Sequence, residues 1–131
     1  MKKRILFILA FVLAVSSTNA YSKEFQAKKK FRDWEVEIRI DRDPPILGDN
    51  NMKIEIRDAG GKRVTDARVL VNYYMPPMPR MAPMNYRTDA HLKGDQFHAT
   101  VRFVMSGPWY VVVIVQRDGN RSSAKFNLQV P

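Results

Sequence analysis

The chain has 131 residues and a formal net charge of +9, and it contains no cysteine. A chain without cysteine forms no disulfide bond and offers no thiolate to a metal, so a metal ion would have to bind to Met, His or oxygen ligands. The common enzyme motifs are also missing: there is no phosphate-binding glycine loop, no HExxH helix and no Ser-His-Asp order with supporting glycine turns. We therefore expect no enzymatic activity.

Residues 1–20 are predicted to be a secretory signal peptide. Lys2 to Arg4 precede an apolar run from Ile5 to Val15, and small residues lead to a cleavage site after Ala20. The run is about 11 residues long, whereas a membrane-spanning helix needs about 20. Cleavage would lower the net charge from +9 to +6, because three basic and no acidic residues are lost. We expect a periplasmic or otherwise extracytoplasmic protein, soluble after cleavage, with retention as a membrane anchor as the alternative.

Residues 21–33 are predicted to be a basic segment in front of one folded domain, residues 34–131. The basic residues of this segment are Lys23, Lys28, Lys29, Lys30 and Arg32. We interpret them as a solvated surface or as a weak attraction to anionic lipid. Nucleic acid is not an expected partner, because an exported protein seldom meets it and the chain lacks the aromatic and glycine pattern of an RNA-binding sheet.

In the first half of the domain, apolar and polar residues alternate, which predicts strands with one buried face. The alternation runs from Trp34 to Ile40, from Asn51 to Asp58, and from about Arg63 to Asn72. A loop with two prolines and a glycine separates the first two strands, and Ala59 to Gly61 form a turn before the third.

The second half of the domain continues the strand pattern without a helical period. Tyr86 to Leu92 and Phe97 to Phe103 read as a hairpin around a turn at Lys93 to Asp95. The apolar run from Trp109 to Val115 indicates a central strand covered on both faces, and Ala124 to Val130 alternate again. About seven short strands, with turn signals about every 8–12 residues, predict an all-β fold: an immunoglobulin-like β-sandwich of about seven antiparallel strands.

Four motifs, in their order along the chain, resemble the YtkA/FixH-like domain of exported bacterial proteins. They are GKRVTDARV at 61–69, MPPM at 75–78, GDQFHA at 94–99 and GPW at 107–109. The resemblance spans about residues 41–130. It implies a sandwich fold, an exported or membrane-anchored location, an association with copper handling, copper efflux or cytochrome oxidase maturation, and no enzymatic activity. The chain departs from this family in its cleavable N-terminus and in a methionine segment longer than the usual pair.

The segment MPPMPRMAPM carries four methionines at a constant spacing of three: Met75, Met78, Met81 and Met84. Its prolines favour a polyproline II conformation with three residues per turn, which places the sulfurs along one edge, about 9 Å apart. Neighbouring sulfurs can then share an ion only if the segment bends, and Arg80 to Ala82 is the stretch free of the proline constraint. Thioether sulfur prefers Cu(I) or Ag(I). We predict a Cu(I) site formed by a subset of these methionines.

Two histidines are candidates for additional ligands of this metal site. His91 precedes the predicted hairpin turn and His98 follows it, so the two are expected to lie roughly opposite each other on neighbouring strands. A site built from Met and His would persist in an oxidising compartment. The alternative for both residues is that they are exposed histidines of a strand or turn.

The leading hypothesis for function is a copper-handling accessory protein. It would bind Cu(I) through the methionine segment and pass it to or from a membrane-bound copper transporter or assembly factor by ligand exchange. The rival hypothesis is a non-catalytic interaction module that docks on a transporter or an oxidase-assembly partner through the same segment without bound metal. A third reading is a FixH-like role in oxidase assembly, which requires the N-terminal helix to remain in the membrane. For the methionine segment itself, a further alternative is a compliant apolar lid over one end of the sandwich.

Overall fold

The structure is a computed structural model that describes residues 23–131, and the predicted signal peptide lies outside the described residues. The described part contains eight β-strands: β1 Phe25–Phe31, β2 Trp34–Ile40, β3 Gly48–Arg57, β4 Arg68–Tyr74, β5 Asn85–Lys93, β6 Gln96–Phe103, β7 Gly107–Arg117 and β8 Asn120–Val130. Within residues 23–131, no helix is long and apolar enough to cross a membrane.

All neighbouring strands are antiparallel, in the order β1-β2-β3-β6-β5-β4-β7-β8. The strand β5 joins two sheets, because Asn85 to Ala90 pair with β4 and His91 to Lys93 pair with β6. At the outer ends of the order, β1 and β8 lie against each other, which makes the fold nearly barrel-shaped. The prediction of an all-β, sandwich-like fold is confirmed, with eight strands where about seven were expected.

The strand beyond the expected number is β1, which lies in the segment that sequence analysis placed before the domain. Phe25–Phe31 pairs along its whole length with β2, and the turn between them passes through Arg32 at a φ of 52°. Phe25, Ala27 and Phe31 pack against the core, but Lys29 stands where the alternation calls for an apolar residue. The lysine run therefore hid a strand, and the folded domain includes residues 25–31.

The core lies between the two sheets, and β7 contributes much of it. Trp109 is 1% exposed, and its ring centroid lies 5.2 Å from that of Phe103 and 6.1 Å from that of Tyr73. The indole N–H donates a hydrogen bond of 2.9 Å to the carbonyl of Met105, which satisfies the one polar atom of the side chain. Full burial of such side chains contributes roughly 1.5–3 kcal/mol each. This aromatic cluster holds together the end of the fold where β4 ends and β7 begins.

Two buried carboxylates lie directly opposite each other on the outer face of the sheet. Glu37 on β2 and Glu55 on β3 are each 6% exposed, an arrangement that would destabilise the sheet without compensating charges. Arg63 and Gln96 contact Glu55 at 2.7 Å each. Each carboxylate therefore requires its own basic or amide partners, and these partners hold β1, β2, β3 and β6 together on this face.

Arg39 and Lys28 compensate Glu37. The guanidinium Nε of Arg39 lies 2.7 Å from the carboxylate and the ammonium of Lys28 lies 3.4 Å from it. Burial alone raises the pKa of Glu37, but the hydrogen bonds and charges of Arg39 and Lys28 outweigh it, so the pKa lies below its ordinary value of 4.5. The hydrogen bond and the negative charge of Glu37 in turn raise the pKa of Arg39.

Glu37→Gln tests this network through the pH dependence of stability. Because the folded state favours ionised Glu37, its contribution is present above the ordinary pKa and is lost as the pH falls through the lowered one. We expect the substitution to lower the unfolding free energy by about 1–2 kcal/mol at neutral pH. As the pH falls from about 5 to about 3, the unfolding free energy of the variant should decrease less than that of the parent. Urea unfolding across this range measures both quantities, with Asp33→Asn at an exposed carboxylate outside this network as the control. If the unfolding free energies of Glu37→Gln and the parent changed in parallel with pH, the folded state would not favour the ionised form of Glu37.

Candidate metal site in the methionine loop

The methionine loop, residues 75–84, connects β4 to β5 and folds back on itself. At its base, the N–H of Met75 donates a hydrogen bond of 3.1 Å to the carbonyl of Met84. At its tip, the N–H of Met81 donates one of 3.3 Å to the carbonyl of Met78. The backbone therefore pairs Met75 with Met84 and Met78 with Met81 across a closed loop, and the four methionines do not lie along an extended edge.

A β-turn at the tip produces this closure. Pro79 and Arg80 are its two central residues, and Arg80 has a φ of 65°. Proline at the first central position and a positive φ at the second are the features of a type II turn. The sequence predicted a bend at Arg80 to Ala82, and the observed turn begins one residue earlier, at Pro79. Proline is favourable there because it occupies the first central position of the turn. The turn brings the Cα atoms of Met78 and Met81 within about 7 Å.

The loop encloses an open pocket of about 240 Å³. All four methionines line this pocket, with prolines, Ala82, Tyr74 and Asn85 between them. No aspartate, glutamate or histidine is part of the lining. The soft donor groups around the pocket are uncharged thioethers, which suit a soft monovalent cation and do not compensate the charge of a divalent one.

The four methionines differ in their freedom to bind an ion. Met75 is 6% exposed and belongs to the core, and its terminal methyl would lie 3.0 Å from a Cβ placed at Gly107. Met78 and Met84 are half-buried and pack against the core, whereas Met81 is 39% exposed. Met75 thus anchors the base of the loop, and the other three sulfurs are the candidates for ligands.

Tyr74 is a residue of the pocket that sequence analysis did not single out. Its ring lies 5.2 Å from that of Tyr110, and the ammonium of Lys125 lies 4.0 Å from the Tyr110 centroid. Its position in the sequence, directly before the methionine segment, could have indicated Tyr74 as a pocket residue. Tyr74 therefore contributes to the wall of the methionine pocket, while Tyr110 packs against it from outside the lining.

The structure does not bring the two histidines to the methionine pocket. His91 and His98 are direct partners on β5 and β6, as the hairpin predicted. His91 lies six residues beyond Asn85 on β5, a separation of about 20 Å at the rise of a β-strand. Burial, followed by the charges of Lys93 and Lys53, lowers the pKa of His98. The histidines therefore belong to a different part of the surface from the thioethers.

Oxygen and nitrogen ligands do not form a competing site of three or more residues. Across residues 23–131, no group of at least three His, Asp or Glu side chains is placed to hold a metal ion. Among the described pockets, the methionine pocket is distinguished by its thioether lining.

Comparison with protein families gives one family match. The YtkA-like family model matches residues 28–113, a range from within β1 to within β7 that contains the methionine loop and both histidines. A comparison with curated proteins found none that matches. The match covers more than half of the chain and confirms the resemblance seen in the motifs. This chain belongs to the YtkA-like family.

Proposed function

We propose that this protein binds Cu(I) in the methionine pocket, in an extracytoplasmic compartment, and exchanges it with a membrane-bound copper transporter or assembly factor. The observation that carries the proposal is the lining of one pocket by four thioethers with no carboxylate. Soft, uncharged sulfur ligands favour Cu(I) over harder ions. Methionine also forms no disulfide, so the ligands are not lost to disulfide formation in an oxidising compartment.

The candidate ligands differ in solvent exposure, and this difference suits transfer of an ion to a partner better than permanent storage. Met81 is the most exposed of the four sulfurs, while Met78 and Met84 lie deeper. An incoming ligand from a partner reaches an ion at Met81 first, and the deeper sulfurs hold the ion until exchange is complete. The proposed role is ligand exchange, and it requires no catalytic group.

The alternative is an interaction module that docks on the same class of membrane partner without metal. The half-buried packing of Met78 and Met84 on the core supports it. Methionine adapts its shape to irregular apolar surfaces and is common at adaptable binding surfaces. Under this alternative, the prolines shape the loop for a protein partner, and the sulfurs have no ligand role.

Cu(I) titration against a competing chelator separates the two functions. We expect Met78→Ala and Met81→Ala each to weaken Cu(I) binding at least about tenfold, because each removes a soft ligand from a small set. Met105→Ala is the matched control, since Met105 packs on the core but does not line the pocket. Equal affinities in all three variants and the parent would favour the interaction module.

Substitutions at Arg80 test the geometry of the loop without removing a sulfur. Arg80→Pro imposes a φ near −65° where the turn has +65°, so it opens the turn. Arg80→Asn keeps the turn, because asparagine tolerates a positive φ. We expect the proline variant to bind Cu(I) at least about tenfold more weakly and the asparagine variant to match the parent. Equal binding by both would show that the turn does not organise the site.

Unfolding measurements distinguish the anchoring methionine from a ligand. We expect Met75→Ala to lower the unfolding free energy by about 2–4 kcal/mol, because it leaves a cavity in the core. Met81→Ala should change it by less than about 0.5 kcal/mol, because that side chain is exposed. Urea unfolding of the metal-free protein makes the comparison. A large loss in Met81→Ala would support a packing role for the whole loop.

A further inference from the structure

The hairpin of β5 and β6 holds two imidazoles side by side. His91 and His98 are direct cross-strand partners; His91 lies three residues before Gly94, and His98 lies three residues after Asp95. The two-residue turn contains Gly94 at a φ of 66°, the glycine position of a type II′ turn, which sets the register of the strands. Directly opposite residues point to the same face with Cβ atoms about 4.5–5.5 Å apart. Because Phe97 and Ala99 face the core, both histidines lie on the outer face.

A cleft opens beside this pair. The pairing of β5 with β6 ends at His91 and His98, and β5 then turns away to pair with β4. An open pocket of about 530 Å³ lies between the diverging strands, lined by both histidines and by Thr88, Asp89 and Thr100 among others. The imidazoles therefore stand at the closed end of a cleft with room for an ion and its remaining water ligands.

We propose that His91 and His98 form a second metal site, which takes a divalent transition-metal ion, with Cu(II) as the strongest binder. Imidazole suits Cu(II), Ni(II) and Zn(II), and Cu(II) has the highest affinity in this series for a given nitrogen site. Two ligands on one rigid hairpin bind as a chelate, because the second bond forms within the same molecule. Water completes the coordination, in keeping with the absence of a three-residue His, Asp and Glu cluster in residues 23–131.

The neighbouring charges shape this site. Lys53 lies directly opposite His98 on β3, and Lys93 lies on the same strand as His91, and both line the cleft. Their ammonium groups repel a divalent cation. Asp89 also lines the cleft, but its carboxylate lies 3.6 Å from Arg68, which offsets its charge. We therefore infer a site of moderate affinity that becomes tighter when a lysine is neutralised.

Titration of the untagged protein with Cu(II), with glycine as competitor and electron paramagnetic resonance as readout, tests the site. We expect one bound ion per chain with two imidazole nitrogens in its spectrum. His91→Gln and His98→Gln should each weaken binding about 100-fold, because each converts a chelate to a single ligand. Lys53→Gln should tighten binding about threefold, because it removes a nearby positive charge. A spectrum without two imidazole nitrogens, or unchanged affinity in the histidine variants, would overturn the site.

A matched control keeps both histidines but separates them. The double variant His98→Thr with Arg102→His moves one imidazole four residues along the outer face of β6, opposite Asp49 on β3 and outside the cleft that His91 lines. We expect this variant to bind Cu(II) as weakly as the single histidine variants, with circular dichroism showing that it is folded. Binding as tight as in the parent would show that the cross-strand pair is not the site.

The proposals for the methionine pocket and for the histidine pair can be tested, and disproved, independently of each other. Met78→Ala and Met81→Ala should leave Cu(II) binding at the histidines unchanged, because they lie at the opposite end of β5. The histidine variants should likewise leave Cu(I) binding unchanged. If the methionine variants abolished the Cu(II) signal, the histidine pair would not be an independent site.

Discussion

The divided pairing of β5 determines the rest of this structure. Its first six residues hydrogen-bond to β4 and its last three to β6, so a single strand belongs to two sheets. Strands that change sheets in this way form the corners of closed β-structures. The methionine loop enters β5 at one end, the histidine hairpin leaves it at the other, and the cleft opens where the strand changes partners. Both candidate sites thus take their positions from one strand.

The closed methionine loop results from a balance of small terms. Arg80 in the left-handed region costs roughly 1–2 kcal/mol. Burial of Met75 contributes roughly 1.5–3 kcal/mol, and each backbone hydrogen bond at the base and the tip contributes about 0.5–1.5 kcal/mol net. Pro79 also reduces the entropy lost on forming the turn. These stabilising terms oppose both the strain at Arg80 and the conformational entropy that the loop loses when it is ordered.

The two proposed sites differ in the chemistry of their ligands as well as in their place. The methionine pocket has uncharged sulfur ligands and no acidic lining residue, a combination that favours a soft monovalent ion. The histidine pair has nitrogen ligands beside an open cleft, which favours a divalent ion with water ligands. Lys53 and Lys93 beside the histidines oppose the charge of that ion, whereas no lysine or arginine lines the methionine pocket.

Local patterns in the sequence predicted a large part of this architecture. Alternation located β2, β3 and β6, and the glycine turn located the hairpin and hence the His91 and His98 pair. Alternation failed at β1, because Lys29 occupies a position whose neighbours along the strand face the core. The polyproline repeat described the spacing of the methionines, but it did not predict that Pro79 would take part in the bend.

The sequence by itself determined the β-class of the fold, the methionine repeat and the adjacency of the two histidines. All three depend on residues close together in the chain, where periodicity and turn chemistry decide the conformation. The tertiary structure alone decided that the four methionines surround one pocket and that the histidines lie about 20 Å from it. These features depend on which strands β5 pairs with along its length. Such pairing between distant segments is set by the packing of the whole core and not by any local pattern.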